Sequence, residues 1–129
     1  MHVRLRLAVA ATAAALLVVV SACGDSDESA STTTVGCKDA ADGRVTLVAE
    51  DIRWDTDCLR ADPGSLTIVV DNQDDGIAHN VHLPDAPGSP ATPLEPGPVI
   101  QELDVTLTTG TYQYVCDLHS NMVGTLTVS

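Results

Sequence analysis

From Arg44 to Ser129 the chain repeats one pattern: short runs rich in Val, Leu, Thr and Tyr, broken by clusters of Gly, Pro, Asp and Asn. The runs are Val45–Val48, Leu66–Val70, Ala78–Leu83, Val99–Leu107, Thr111–Cys116 and Val123–Val128. The breaks include Asp62-Pro63-Gly64, Asp71-Asn72 and Asp74-Asp75-Gly76. No window of 11 or more residues carries a convincing 3.6-residue period, so amphipathic helices have no basis in this stretch. Some six strands in fewer than 90 residues predict an all-β fold, a Greek-key β-sandwich or barrel. Six of the seven prolines fall between Pro84 and Pro98, which excludes a central strand there and predicts a stiff, exposed loop.

The other end of the chain reads differently. Arg4 and Arg6 precede an apolar run from Leu7 to Val20, followed by Ser21-Ala22-Cys23. At about 1.5 Å per residue that run is shorter than a bilayer core of about 30 Å, so residues 1–22 read as a secretory signal and not as a membrane span. Val20-Ser21-Ala22-Cys23 resembles the lipobox of bacterial lipoproteins. The resemblance implies a lipidated Cys23, an acylated new N-terminus and, because several acyl chains act together, a stable anchor. Residues 23–43 are rich in Asp, Ser, Thr and Ala, with Val35 the only large apolar side chain, and read as a flexible acidic tether. The organisation expected is thus leader (1–22), tether (23–43) and one small domain (44–129), held extracytoplasmically at the outer face of the cytoplasmic membrane.

Charge narrows the function classes. Six basic and eighteen acidic residues give −12, and loss of Arg4 and Arg6 with the leader takes the remainder to −14. Nucleic-acid binding depends on Lys and Arg at phosphates, and the three aromatics (Trp54, Tyr112, Tyr114) make a poor stacking platform, so neither mode is expected.

Chemistry concentrates in Tyr112-Gln113-Tyr114-Val115-Cys116-Asp117-Leu118-His119-Ser120-Asn121-Met122, which puts a thiolate, an imidazole and a thioether within seven residues. His79-Asn80-Val81-His82-Leu83 is the second candidate segment. One thiolate, two imidazoles and a weak thioether suit copper in a trigonal site with an axial Met. Strand alternation places His79 on the core side with Val81 and Leu83, and Asn80 and His82 on the other, so His79 is the expected ligand and His82 a solvated surface histidine. The same alternation aligns Tyr112, Tyr114 and Cys116; the tyrosines read as packing residues, one hydroxyl closing the turn at Gly110.

At these residues the chain resembles the cupredoxins, small blue-copper proteins of the plastocyanin and amicyanin kind. The likeness runs from about Val45 to Ser129 and is densest in Asp71-Asn72-Gln73, His79-Asn80-Val81, Gly110–Cys116 and Gly124–Val128. The C-x2-H-x2-M spacing matches the short loop of amicyanin. The resemblance implies one copper ion cycling between Cu(I) and Cu(II), with His79, Cys116 and His119 as equatorial ligands and Met122 axial. It implies that Asn80 braces the ligand loops by hydrogen bonding. The chain departs from the family at Asp117, Leu118 and Ser120, where Ser or Thr after the Cys and Pro near the His are common. An Asp beside the thiolate favours the oxidised metal and lowers the potential.

With Cys23 lipidated and Cys116 on metal, Cys37 and Cys58 remain, and an exported protein permits a disulfide between them; two free thiols or a second metal site are the alternatives. A single cysteine in the ligand loop excludes a binuclear centre, and Val115 and Asp117 flanking it exclude a route to a trinuclear cluster, so turnover chemistry is not expected. The leading function is a membrane-tethered, monomeric one-electron carrier. Its partner is a redox protein, for example a c-type cytochrome with a basic face, and Leu118 and Met122 are candidates for the apolar docking patch. A copper-binding module for sequestration or delivery is the alternative, and a metal-free structural sandwich the third reading.

Overall fold

The computed structural model describes residues 36–129. The leader, Cys23 and the tether as far as residue 35 lie outside the described residues. Nine strands and no helix make up the described part: β1 (Lys38–Asp39), β2 (Arg44–Ala49), β3 (Cys58–Ala61), β4 (Gly64–Asn72), β5 (Ala78–His79), β6 (Glu95–Pro96), β7 (Val99–Leu107), β8 (Gly110–Cys116) and β9 (His119–Val128). One sheet has the order β1-β3-β9-β8, the second β2-β4-β7, and β5 pairs with β6 as a short ribbon.

Period-2 alternation builds the core from both sheets. On β2 it turns Val45, Leu47 and Ala49 inward, on β4 Leu66, Ile68 and Val70, and on β7 Leu103, Val105 and Leu107. From the other sheet come Leu59, Tyr112, Tyr114, Cys116, Met122, Leu126 and Val128. All join one hydrophobic cluster. The β2–β4 pairing is parallel, as is β3–β9, because β3 crosses to the opposite sheet between β2 and β4. This interleaving is the sandwich architecture that the strand count predicts.

Two packing details set the frame of the site. Tyr114 is fully buried, donates its hydroxyl to the Thr56 carbonyl (2.8 Å) and meets Trp54 edge-on with ring centroids 6.3 Å apart. Its ring lies so close over Gly124 of β9 that a Cβ there would run into Tyr114 Cζ; only glycine permits the approach. Tyr112 donates to the Thr108 carbonyl (2.9 Å), closing the turn on the near side of Gly110.

Several expectations are corrected. Within the stretch expected as tether, Cys37 and Cys58 form a disulfide, and Lys38–Asp39 runs alongside β3 as a parallel strand. Strands β1, β3 and β6 go beyond the six runs because two to four residues are too short to show a period. Ala78–Leu83 is not one strand; only Ala78–His79 is extended into a ladder, and His82 makes isolated bridges to Ala91 and Val115. The proline-rich segment is only partly exposed. Ala86 and Thr92 are buried, and the Thr92 Oγ1 accepts the Val81 N–H (3.0 Å), so this loop lies along the ligand-bearing segment.

Candidate metal centre

Strands β8 and β9 form a hairpin whose turn is Asp117-Leu118, so Cys116 and His119 face each other as ladder partners. Between this pair and the next, Val115↔Val123, one step on β8 spans four on β9. The extra residues Ser120, Asn121 and Met122 form a bulge that re-aims the strand end. His119 is half-buried, while Met122 lies fully buried on the inward face shared with Leu126 and Val128.

His79 reaches the same place from β5. Its side chain is fully buried, Cys116 is buried as well, and the nearest ligand-type atoms of His79, Cys116 and His119 all lie within 4.8 Å of one another. Cys116 Sγ stands 3.8 Å from Nδ1 of His79 and 3.5 Å from Nδ1 of His119. The two imidazole planes are tilted by 57° with centroids 4.7 Å apart.

The orientation of His79 is set from behind. Its Nε2 lies 2.8 Å from Oδ2 of Asp74, so the Nε2–H donates to the carboxylate and the Nδ1 lone pair is directed at the thiol. Asp74 also accepts the backbone N–H groups of Asp51 (2.7 Å) and Ile52 (2.9 Å). Burial alone would raise the Asp74 carboxyl; the Ile52, His79 and Asp51 hydrogen bonds outweigh it and hold the group below the ordinary carboxylate range. Nothing local in the sequence marks Asp74 as a partner of His79, because the contact depends on how the Asp71–Gly76 turn folds back. Gly97 permits that fold: a Cβ there would lie 2.6 Å from the Asp74 carbonyl.

The other side of the site is held by Asn80. Its Nδ2 donates to Asp117 Oδ2 (2.8 Å) and its Oδ1 accepts the Asp117 N–H (3.0 Å). Alternation assigns Asn80 to the outer face, yet it is 2% exposed because the proline-rich loop covers it. His82 lies at the surface with its side chain 24% exposed, and both of its ring nitrogens are paired. Its Nδ1 lies 2.7 Å from Asp117 Oδ1 and its Nε2 2.7 Å from Ser89 Oγ. Asn80 first, then His82, hold the Asp117 carboxyl below its ordinary range against burial. The Asp117–His82–Ser89 order resembles a nucleophile relay, but the Ser89 N–H is committed to the Ala86 carbonyl and residue 90 is proline. An oxyanion site beside Ser89 therefore lacks its local donors, and the chain of bonds acts as a latch between the loop and the ligand turn.

The donor set is one thiol flanked by two imidazole nitrogens, buried and pre-aimed, with a thioether three residues beyond His119. Such a set fits a soft or borderline ion in a low-coordinate site. The apolar docking patch is corrected: Met122 is buried, whereas Leu118 on the turn is 56% exposed. Among the described residues no helix is long and apolar enough to cross a membrane.

Comparison with known proteins agrees with this geometry. A family model described as a cupredoxin-like domain matches residues 10–128. Among solved structures, the reduced form of one amicyanin variant is 26% identical with a TM-score of 0.56, covering 70% of this chain and 86% of that one. The Cu(I) form of a second amicyanin variant at pH 4 is 28% identical at the same TM-score and coverage. Auracyanin A, a blue copper protein from Chloroflexus aurantiacus, shares the fold at 20% identity and a TM-score of 0.58, covering 73% of this chain and all of that one. None of the curated proteins matches the chain.

Proposed function

Because the chain belongs to the cupredoxin-like domain family, we propose that it is a one-electron carrier at a single copper ion that His79, Cys116, His119 and Met122 would hold. The observation that carries this reading is the buried Cys116 thiol flanked by the Nδ1 atoms of two histidines. The copper named in the amicyanin and auracyanin structures supports the choice of ion. A bound copper would supply the Cu(II)/Cu(I) couple, accepting one electron from a donor protein and passing it to an acceptor.

The residues of the chain do the rest. Asp74 holds His79 in one tautomer, and Asn80 holds the Cys116–His119 turn, so the ligands need little movement between oxidation states. Burial of His79, Cys116 and Met122 excludes water and leaves the half-buried His119 as the edge through which a partner couples. The exposed Leu118 beside it offers an apolar contact, and the acidic chain steers a basic-faced redox protein, for example a c-type cytochrome. In this reading the protein acts as an extracytoplasmic monomer tethered by lipid on Cys23, and it is not an enzyme. The lipobox-like segment and the Asp-, Ser- and Thr-rich stretch between Cys23 and Cys37 support the tether.

Sequestration or delivery is the competing use of the same ligands. Three buried ligands and no exposed Met-rich stretch favour retention of the ion over its release. The test loads the full chain with copper, follows it through repeated one-electron reduction and oxidation, and challenges the Cu(I) form with a modest chelator. Reversible cycling with retained copper is the predicted result; rapid loss of Cu(I) to the chelator overturns the carrier reading in favour of delivery.

A further inference from the structure

Residues 50–53 form a two-residue hairpin turn, with reciprocal hydrogen bonds between Glu50 and Arg53 (3.1 and 3.2 Å). Both central residues are left-handed, Asp51 at φ 53° and Ile52 at φ 55°. Such turns ordinarily take Asn-Gly or Gly-Gly, and a β-branched residue in this region is a true outlier. An outlier of this kind persists only where its surroundings hold it.

Here the turn is held by groups from both halves of the metal centre. Asp74, which orients His79, accepts the N–H groups of Asp51 and Ile52. From the opposite side Asn121, in the β9 bulge between His119 and Met122, donates its Nδ2 to the Ile52 carbonyl (2.6 Å). Ile52 also packs its side chain against the hydrophobic cluster, which anchors the turn to the sandwich.

We infer that the Asp51–Ile52 turn is a positioning element that couples the His79 segment to the His119–Met122 segment, with Ile52 as the peptide through which Asp74 and Asn121 act on each other. The inference rests on the copper-site reading for its purpose. The coupling itself is a property of the metal-free protein. A left-handed turn offers successive N–H groups on one side and its carbonyl on the other, so one carboxylate and one amide can clamp it from two directions.

The test reads the His79 imidazole nitrogens of the metal-free full chain by 15N NMR. The wild type is expected to show Nε2 protonated and Nδ1 bare, and Asp74→Asn to lose that preference. The decisive variant is Asn121→Ala, whose side chain is exposed and whose one hydrogen bond is the tie to Ile52. Coupling through the turn predicts that Asn121→Ala measurably weakens the His79 tautomer preference. An Asn121→Ala protein that is folded, with His79 signals identical to wild type, overturns the inference. A second measurement is the affinity for Cu(I) in a double-mutant cycle. Each single change is expected to weaken binding by about 10-fold or more, and the pair by less than the product of the two. Losses that simply multiply contradict the coupling. A wild-type chain that binds no copper refutes the proposed function, while the NMR result still decides the turn's role.

Discussion

Asn80 and Asp117 hold each other by two hydrogen bonds, the amide of Asn80 donating to the carboxylate and the Asp117 N–H returning to the Asn80 carbonyl oxygen. One residue follows His79 and the other follows Cys116, two of the proposed metal ligands, so this pair fixes the separation of the two loops. Replacing Asn80 with Ala leaves the Asp117 N–H and Oδ2 without their partner, while His82 still holds Oδ1. Bonds to a charged group contribute about 1.5–3 kcal/mol, so Asn80→Ala is predicted to lower the stability of the metal-free protein by about 2 kcal/mol in urea unfolding.

Asp117 places a negative charge one residue from the thiolate. That charge favours the oxidised, more positive ion, and the exposure of the carboxylate (42% of the side chain) lets water screen part of it. Asp117→Asn keeps the shape and removes the charge, and it is predicted to raise the reduction potential. Spectroelectrochemical titration of the copper-loaded full chain checks the sign.

Gly124 carries no Cβ because the Tyr114 ring occupies its place. Gly124→Ala forces that ring away, straining the Tyr114–Thr56 hydrogen bond two residues from Cys116. Overpacking of this kind costs about 1–3 kcal/mol. A fall in stability of about 2 kcal/mol is expected, with Tyr114→Phe, which leaves the clash in place, failing to rescue it. Thermal unfolding of the metal-free variants measures both.

Two carboxylates near the site, Asp74 and Asp117, titrate below their ordinary value of 3.8 in the folded protein. As pH falls the unfolded chain therefore binds protons first. The stability these groups contribute is complete above the ordinary value and is lost as pH drops through their lower folded values. The unfolding midpoint of the metal-free protein is predicted to decline below about pH 4, and less steeply in Asp74→Asn and Asp117→Asn than in the wild type.

Much of the frame could be read from alternation alone. Val45 to Ala49 and Val99 to Leu107 show inward and outward residues in strict turn, and both are strands. The position of His79 on the core side of its segment also follows from that rule. The rule fails at Asn80, and the expected exposure of the loop fails at Thr92, because their burial depends on where the proline-rich segment settles, a long-range event with no local signature. Asp74 and Asn121 are invisible for the same reason: each acts on a residue 5 to 69 positions away. The Asp51-Ile52 turn is missed for another cause, since neither residue type advertises a left-handed backbone.

The central claim is a copper ion bound by the Cys116 thiolate between two histidines. Its most direct test is the visible absorption spectrum of the full chain loaded with Cu(II), beside that of Cys116→Ser. An intense thiolate-to-copper charge-transfer band is expected in the wild type and is expected to vanish in the variant. A weak spectrum, or one unchanged by Cys116→Ser, contradicts it.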